Sequence, residues 1–287
     1  MRRIIVLLVT VLLVFSSNSI ILHADDSFES NTNDFNDSIA ELNNLYAGMY
    51  QKCLETKYDH IVDDESAYAF LLQHIEKVSV LNGLLQLDAK LEMNKEDNNG
   101  LIAFIEKVNN LVELDAIIID QNTLQLSYKT VETTNSDLRQ YIMNAYNENG
   151  LRYQVFDLMP EARQHAYEMQ RVYDNTLFGA GYGACAAYFI DRVKTGGPWD
   201  YKRFLGLSNY YYIPEVNENM SGETIGNFHY GYVGSTVFRP WVLKSAAGMY
   251  QIYSGTSQWN WLSSYFDDPA DQADIQWGIN WYNAHHY

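Results

Sequence analysis

The stretch Gly222–Gly234 brings together several polar side chains suited to acid–base chemistry. They are a carboxylate, an amide, an imidazole and two phenols: Glu223, Asn227, His229, Tyr230 and Tyr232. Four glycines separate them, and glycine destabilises a helix interior because it loses backbone entropy and has no side chain to pack. The stretch is therefore predicted to be a shaped loop, a kind of segment that commonly carries function.

Glu223 is predicted to be a general acid, because a carboxyl group between Gly222 and the apolar Ile225 is placed to have a raised pKa. Cleavage of a glycosidic bond needs a second carboxylate, as nucleophile or as base. The candidates for that role are three aspartates: Asp200, Asp268 and Asp271. The side chains predicted to bind substrate are aromatic rings and amides: Trp199, Asn227, Tyr230, Tyr232 and Gln272. The residues thus favour hydrolysis of the glycan strands of peptidoglycan.

Two other functions remain open from the residues alone. As a ribonuclease, the chain would use His229 as the base toward a ribose 2′-hydroxyl and Glu223 as the partner acid or base. Lys202 or Arg203 would then stabilise the charged phosphorane. As a non-enzymatic binding module, the chain would use a surface built from its 23 Tyr and 6 Trp residues.

Several of these candidates also have a purely structural interpretation. Asp200 follows a Gly-Gly-Pro turn and fits the N-cap of a short helix. Asp268, Pro269 and Asp271 fit the start of another helix, with Asp268 as N-cap and Asp271 as a capping-box acid. His229 fits a structural histidine. No cofactor is predicted, and no spacing of His and Cys indicates a metal site.

Residues 1–24 have the features of a secretory signal peptide: two arginines, an apolar run and a small residue before the first aspartates. The apolar run stops short of the ~20 residues that a membrane-spanning helix needs. We therefore expect export, an extracellular protein and no stable membrane anchor after cleavage. The cysteines Cys53 and Cys185 are predicted to remain unlinked.

Negative charge is concentrated in the first half of the exported chain. Residues 25–150 contain 23 acidic and 8 basic side chains, a balance of −15, whereas residues 151–287 contain 13 and 9, a balance of −4. An acidic surface opposes binding to phosphate backbones, which is driven by Lys and Arg. The charge therefore argues against a nuclease, although Arg192, Lys194, Lys202 and Arg203 could hold a phosphate locally.

The hydrophobic pattern predicts a mainly α protein, α+β overall, with helical N-terminal and C-terminal regions, one small β-hairpin and Gly-rich loops. The polar residues 25–38 are predicted to be a flexible leader. Helices are predicted at about 39–57, 65–93, 101–114, 135–149, 160–193 and 243–254, and after Asp268. The hairpin is predicted from 116–119 and 124–131. The expected domains are an acidic accessory region, 25–150, and a functional domain, 151–287.

Four motifs in order resemble the bacterial toxin 44 family, also called polymorphic toxin type 44. They lie at 196–202 (GGPWDYK), 223–231 (ETIGNFHYG), 247–251 (AGMYQ) and 267–278 (DDPADQADIQWG). The resemblance covers the C-terminal third of the chain. It implies a secreted effector with a mainly helical toxin domain, and a neutralising immunity protein as partner.

Overall fold

The computed structural model describes residues 31–88, 91–131, 142–146, 148, 150, 152–253 and 268–285. The predicted signal peptide and residues 25–30 of the predicted leader lie outside this part of the chain. Residues 31–38 are helical, so the leader prediction is wrong there. The described residues are mainly α with some β, which confirms the predicted fold class.

The described residues form nine α-helices and eight strands. The helices are α1 (Asn31–Glu55), α2 (Asp64–Gln73), α3 (Lys95–Glu113), α4 (Leu158–Asp174), α5 (Gly181–Val193), α6 (Tyr201–Leu205), α7 (Gly222–Gly234), α8 (Pro240–Tyr253) and α9 (Pro269–His285). The strands are β1 (Val78–Leu81), β2 (Leu84–Leu87), β3 (Ile117–Ile119), β4 (Leu126–Tyr128), β5 (Ile142–Tyr146), β6 (Arg152–Phe156), β7 (Tyr210–Ile213) and β8 (Glu218–Ser221). None of these helices combines the length and the apolar character that crossing a bilayer requires.

The chain divides into two compact units. The N-terminal unit consists of Asn36–Thr130 and Arg171–Tyr188. The C-terminal unit consists of Val131–Gln170 and Phe189–Tyr287, with Met1–Phe35. Segments of the two units therefore alternate along the sequence. The domain boundary predicted after residue 150 stays a prediction.

A cluster of aromatic rings forms the centre of the N-terminal unit. The Tyr68 ring of α2 lies 5.8 Å from the Phe104 ring and 5.6 Å from the Phe178 ring, and Tyr46 of α1 lies 6.0 Å from Phe178. The Tyr68 hydroxyl donates a hydrogen bond to the Leu124 carbonyl oxygen at 2.8 Å. The buried phenol is therefore satisfied, and the rings contribute their full apolar area.

Two hairpins belong to the N-terminal unit, of which only the second was predicted. The predicted hairpin is confirmed, since β3 and β4 pair antiparallel with Ile117 opposite Tyr128. The helix predicted over 65–93 is wrong beyond Gln73, because β1 and β2 form a hairpin. Its turn residues Asn82 and Gly83 have φ of 54° and 83°, as a type I′ turn requires.

Both cysteines are buried and free, as predicted. Burial raises the pKa of the Cys53 thiol to about 11 and that of the Cys185 thiol to about 12. Neither sulfur is therefore a thiolate near neutral pH, which agrees with a packing role for both.

A four-stranded sheet in the order β5-β6-β7-β8 belongs to the C-terminal unit. The pairs β5–β6 and β7–β8 are antiparallel, whereas β6 and β7 are parallel with Val155 opposite Tyr212. One face is buried, through Phe156, Tyr211, Ile213 and Met220. The helix predicted at 135–149 is wrong over Ile142–Tyr146, where backbone pairing with β6 creates a strand. Residues 135–141, 147 and 149 of that predicted helix lie outside the described part.

The stretch Gly222–Gly234, predicted to be a loop, is helix α7. It begins at the N-cap Ser221, whose hydroxyl accepts a hydrogen bond from the Thr224 amide at 3.0 Å. None of its glycines has a positive φ. They serve close packing instead, because a Cβ on Gly231 would lie 2.1 Å from the Ile275 carbonyl oxygen of α9.

Helices α7 and α9 touch through their backbones at a second glycine as well. A Cβ on Gly278 would lie 2.0 Å from the Phe228 carbonyl oxygen and 2.8 Å from the Tyr232 amide nitrogen. Contacts step forward together along both helices, from Asn227 with Asp271 to Gly231 with Ile275. The helices are therefore parallel, and their N-termini lie at the same end.

Replacing Gly278 with Ala should destabilise the protein, because the added methyl group forces α7 and α9 apart. We expect a loss of about 2–3 kcal/mol in the free energy of unfolding, measured by urea titration with circular dichroism. Gly48→Ala is the matched control, since that helical glycine has nothing within 4 Å of the added Cβ. The control should gain about 0.5–1 kcal/mol from helix propensity alone. Equal stability of the two variants would contradict the close backbone contact.

Candidate active site

Glu223 lies in the first turn of α7, at the end where the parallel helices α7 and α9 begin. Asn227 follows four residues later on the same face of the helix. The Glu223 carboxyl group is half-buried, and within the described residues it makes no hydrogen bond. Burial and nearby charges, rather than hydrogen bonds, therefore define its environment.

Helix α9 presents two aspartates to that face of α7. The Asp271 Oδ1 atom accepts a hydrogen bond from the Asn227 side-chain amide at 2.7 Å. Asp274 lies one turn further along, where the Thr224 side chain of α7 offsets part of the rise in its pKa. Sequence reasoning missed Asp274 and Thr224, although the spacing of three residues from Asp271 to Asp274 was a usable signal for a shared helix face.

Lys202 of α6 supplies positive charge to these carboxylates. Its Nζ atom lies 3.7 Å from the Asp271 Oδ2 atom. Its aliphatic stem crosses α7 at Gly226, where a Cβ would lie 2.6 Å from the Lys202 Cγ atom. The second glycine of the predicted loop therefore makes room for the lysine that faces the acidic residues.

The pKa of Glu223 is raised by burial, against the charge of Lys202, and three aspartates add to the rise: Asp271, Asp268 and Asp274. Burial likewise raises the pKa of Asp274, against the hydrogen bond from Thr224 and the charge of Lys202. A helix N-terminus stabilises a carboxylate and would lower the pKa of Glu223. Burial and the three aspartates act in the opposite direction. The arrangement therefore places a carboxyl group with a raised pKa beside an ion-paired aspartate.

Asp268 and Asp200 both lie at helix N-termini, where they accept hydrogen bonds from backbone amides. Asp268 Oδ1 accepts from the Ala270 amide at 2.8 Å, at the start of α9. Asp200 is the N-cap of α6 and accepts from the amides of Arg203, at 3.2 Å, and Gly196, at 2.8 Å. Asp271 bonds to Asn227 across to α7. Of the three candidate aspartates, Asp271 is the one that connects directly to the Glu223 face.

His229 lies in the core of the C-terminal unit rather than among the carboxylates. Its side chain is 1% exposed, and its Nε2 atom lies 2.9 Å from Nδ1 of His165. The Tyr201 ring packs against it at 4.6 Å, and the Tyr201 hydroxyl donates a hydrogen bond to Glu161 at 2.8 Å. A substrate hydroxyl could reach this imidazole only if the core opened.

The remaining predicted binding residues also pack inside the unit. Trp199 is 5% exposed and stacks on His165 with ring centres 4.2 Å apart. The Tyr230 hydroxyl donates to the Leu243 carbonyl oxygen at 3.1 Å. Tyr232 is buried. Gln272 donates from Nε2 to the Lys244 carbonyl oxygen at 3.0 Å. Asn227, by contrast, bonds to a carboxylate of the cluster, that of Asp271.

Three of the four basic residues proposed to hold a phosphate have acidic partners: Arg192, Lys194 and Lys202. Arg192 and Lys194 each lie 2.7 Å from the buried Asp191 carboxylate, which also accepts a hydrogen bond from the Val131 amide at 2.9 Å. Lys202 faces Asp271, as described above. As for metals, no group of three His, Cys, Asp or Glu side chains in the described ranges is arranged to hold an ion.

Glu223→Gln should stabilise the folded protein near neutral pH. Because the pKa of Glu223 is raised on folding, the folded state loses stability relative to the unfolded state as the pH rises above the ordinary glutamate pKa of 4.5. The glutamine variant lacks this loss, so it should melt above the wild type at pH 7, with the gap closing below pH 4.5.

The matched control is Glu218→Gln, which removes an exposed carboxylate of β8. Its melting temperature should stay at the wild-type value across the same pH range, as read by differential scanning calorimetry. A Glu223→Gln variant that melts below the wild type at pH 7 would mean that attraction to Lys202 dominates.

Neither His165 nor His229 should bind a proton between pH 5 and 8. Burial, followed by the charge of Arg192, lowers the pKa of His165 to about 3, and burial places the pKa of His229 well below its ordinary value. Below pH 6.5 the unfolded chain binds protons that the folded chain does not, so stability falls as the pH falls. Nitrogen-15 NMR of the imidazoles tests this directly. A titration midpoint near 6.5 for either ring would contradict it.

Comparisons with known proteins bear on the C-terminal third of the chain. No curated protein and no solved structure matches the chain. The model of the family described as bacterial toxin 44 matches residues 188–284. This range contains Lys202, Glu223, Asn227, Asp271 and Asp274. The C-terminal third of the chain is therefore similar to the bacterial toxin 44 family, as its four motifs predicted.

Proposed function

We propose that the chain is a toxin hydrolase that cleaves the glycan strands of peptidoglycan, with Glu223 as general acid. The observation that carries this proposal is the environment of Glu223. The carboxyl group is half-buried at the end where α7 and α9 begin, and burial with nearby aspartates raises its pKa. A general acid must hold its proton at the working pH and release it to the leaving group, which a raised pKa favours.

Asp271 is the best candidate for the second carboxylate. The Asn227 amide orients it at 2.7 Å, and Lys202 lies 3.7 Å away, so its ionised form has both a donor and a counter-charge. Two carboxyl groups in contrasting environments are the pattern of glycosidic cleavage. Glu223 would protonate the glycosidic oxygen as the bond to it breaks. Asp271 would attack the anomeric carbon or take a proton from the attacking water.

Lys202 and Asp274 would tune this pair. The charge of Lys202 lowers the pKa of Glu223 and so limits how far burial raises it. Asp274 acts in the opposite direction on Glu223. The balance of the two sets the pH at which Glu223 gives up its proton. Both residues belong to the site without being required to touch the substrate.

The family match supports a toxin or effector role. Such a role is consistent with the predicted export signal and with a cognate immunity protein that blocks the domain. An exported protein meets the cell wall first, which favours a wall polymer as substrate. The ribonuclease alternative is less favoured, since His229 is buried and Arg192 and Lys194 pair with Asp191.

The proposal predicts that Glu223→Gln lowers the release of soluble muropeptides from peptidoglycan sacculi by about 10²–10⁴-fold, the usual contribution of general acid catalysis. Glu218→Gln, which alters an exposed glutamate of the same unit, should act like the wild type. Asp271→Asn should also be strongly impaired. Asp268→Asn should retain activity, because Asn caps a helix as well as Asp does.

Total RNA incubated in parallel separates the alternatives. RNA fragmentation without muropeptide release would overturn the glycosidase proposal and direct attention to His229 and Lys202. Activity on neither substrate would favour the binding module. If the Glu223→Gln variant still releases muropeptides, peptidoglycan would remain the proposed substrate, but Glu223 would not be the general acid.

A further inference from the structure

The sheet of the C-terminal unit has a second face that no functional assignment has used. Side chains alternate between the two faces of a strand, so the register fixes which residues share this outer face. Four residues form one row across the strands: Ala145, Tyr153, Tyr210 and Ser221. Four more form the next row: Met143, Val155, Tyr212 and Asn219. We call these eight residues the tyrosine face.

Aromatic groups on the tyrosine face are open to solvent. Tyr210 is 66% exposed, Met143 is 56% exposed and Tyr153 is 37% exposed. The Tyr153 and Tyr212 rings meet edge to face with centres 6.1 Å apart. The Tyr212 hydroxyl donates to the Asn217 side-chain oxygen at 2.7 Å, which holds its ring in place. The rings thus form a preorganised aromatic surface.

The tyrosine face carries no acidic or basic side chain within the four described strands. This sets it apart in a chain whose net charge is −17. The face therefore offers no cation to bind a phosphate polymer and no carboxylate to bind a basic protein. A neutral sugar chain matches it, because sugar C–H faces pack on aromatic rings while hydroxyls bond to phenol, amide and serine groups.

The tyrosine face is continuous with the candidate active site along the chain. Ser221 ends the upper row and is also the N-cap of α7. Glu223 follows two residues later, so the two Cα atoms lie within about 8 Å. The Ser221 end of the face therefore lies close to the backbone of the residue proposed as general acid.

We infer that the tyrosine face is a substrate-binding platform for a neutral glycan strand, which it holds next to Glu223. The inference rests on the proposed function for the choice of peptidoglycan as the glycan. Tyr210 and Tyr153 are the stacking residues. Asn219 supplies hydrogen bonds beside them.

The test measures binding apart from cleavage, in the Glu223→Gln background. The Glu223→Gln protein is the parent. Co-sedimentation with peptidoglycan sacculi gives its dissociation constant and those of variants of it that also carry Tyr210→Ala, Tyr153→Ala or both. Each single substitution should weaken binding about 5-fold and the pair about 20-fold or more, from the loss of ring packing. Tyr167→Ala, which removes an exposed tyrosine of α4, is the control and should bind like the parent.

Excess RNA should not compete for the platform. The inference is overturned if the parent does not bind sacculi, if the tyrosine variants bind as tightly as the parent, or if RNA displaces the sacculi. It is also overturned if Tyr210→Ala converts a dimer to a monomer in sedimentation velocity, because the face would then join two copies. If the wild type releases no muropeptides but the tyrosine substitutions still weaken binding to sacculi, the binding platform would be supported and the proposed hydrolase function would be rejected.

Discussion

The backbone contact between α7 and α9 is the constraint on which the candidate site depends. Gly231 and Gly278 let the two helices meet without intervening side chains. The helices run in parallel, so their N-termini come together and their first turns carry Glu223 and Asp271. Helix N-termini favour negative charge, which offsets part of the cost of placing several carboxyl groups side by side. Separating the helices would therefore disrupt the packing and the electrostatics together.

Lys202 reaches this acidic end because the segment before it is fixed on α5. The Trp199 amide donates to the Arg192 carbonyl oxygen at 2.8 Å, and a Cβ on Gly197 would lie 2.4 Å from the same oxygen. The pairing of Arg192 with Asp191 holds the end of α5 in turn. Buried polar groups here position the Lys202 cation, and positioning a charge is a different role from adding net stability.

The core of the C-terminal unit contains polar groups that are satisfied by one another. His165 and His229 share a hydrogen bond, and Tyr201 bonds to Glu161. Such pairs avoid the desolvation penalty of an unpartnered buried group. They also explain why aromatic and imidazole side chains with functional potential are buried in this domain while the carboxylates remain half-exposed.

The sequence by itself identified Glu223, Asp271 and Lys202 as candidate site residues, and it predicted the similarity of the C-terminal third to bacterial toxin 44. Helix caps at Asp200 and Asp268, the confirmed hairpin and the four toxin motifs depend on residues close in the chain, so local rules found them. Glu223 was singled out for its glycine and apolar neighbours, yet its pKa is raised first by burial in the folded chain and then by Asp271, Asp268 and Asp274, 45–51 residues away. The glycines of α7 led to the wrong prediction of a loop, because the loss of helix stability that glycine causes can be read from the local sequence. The close packing that they allow depends on the backbone of α9, which is distant in the chain. The pairing of β5 with β6, the burial of His229 and the part played by Asp274 were decided only by tertiary structure, since each depends on partners that no local pattern specifies.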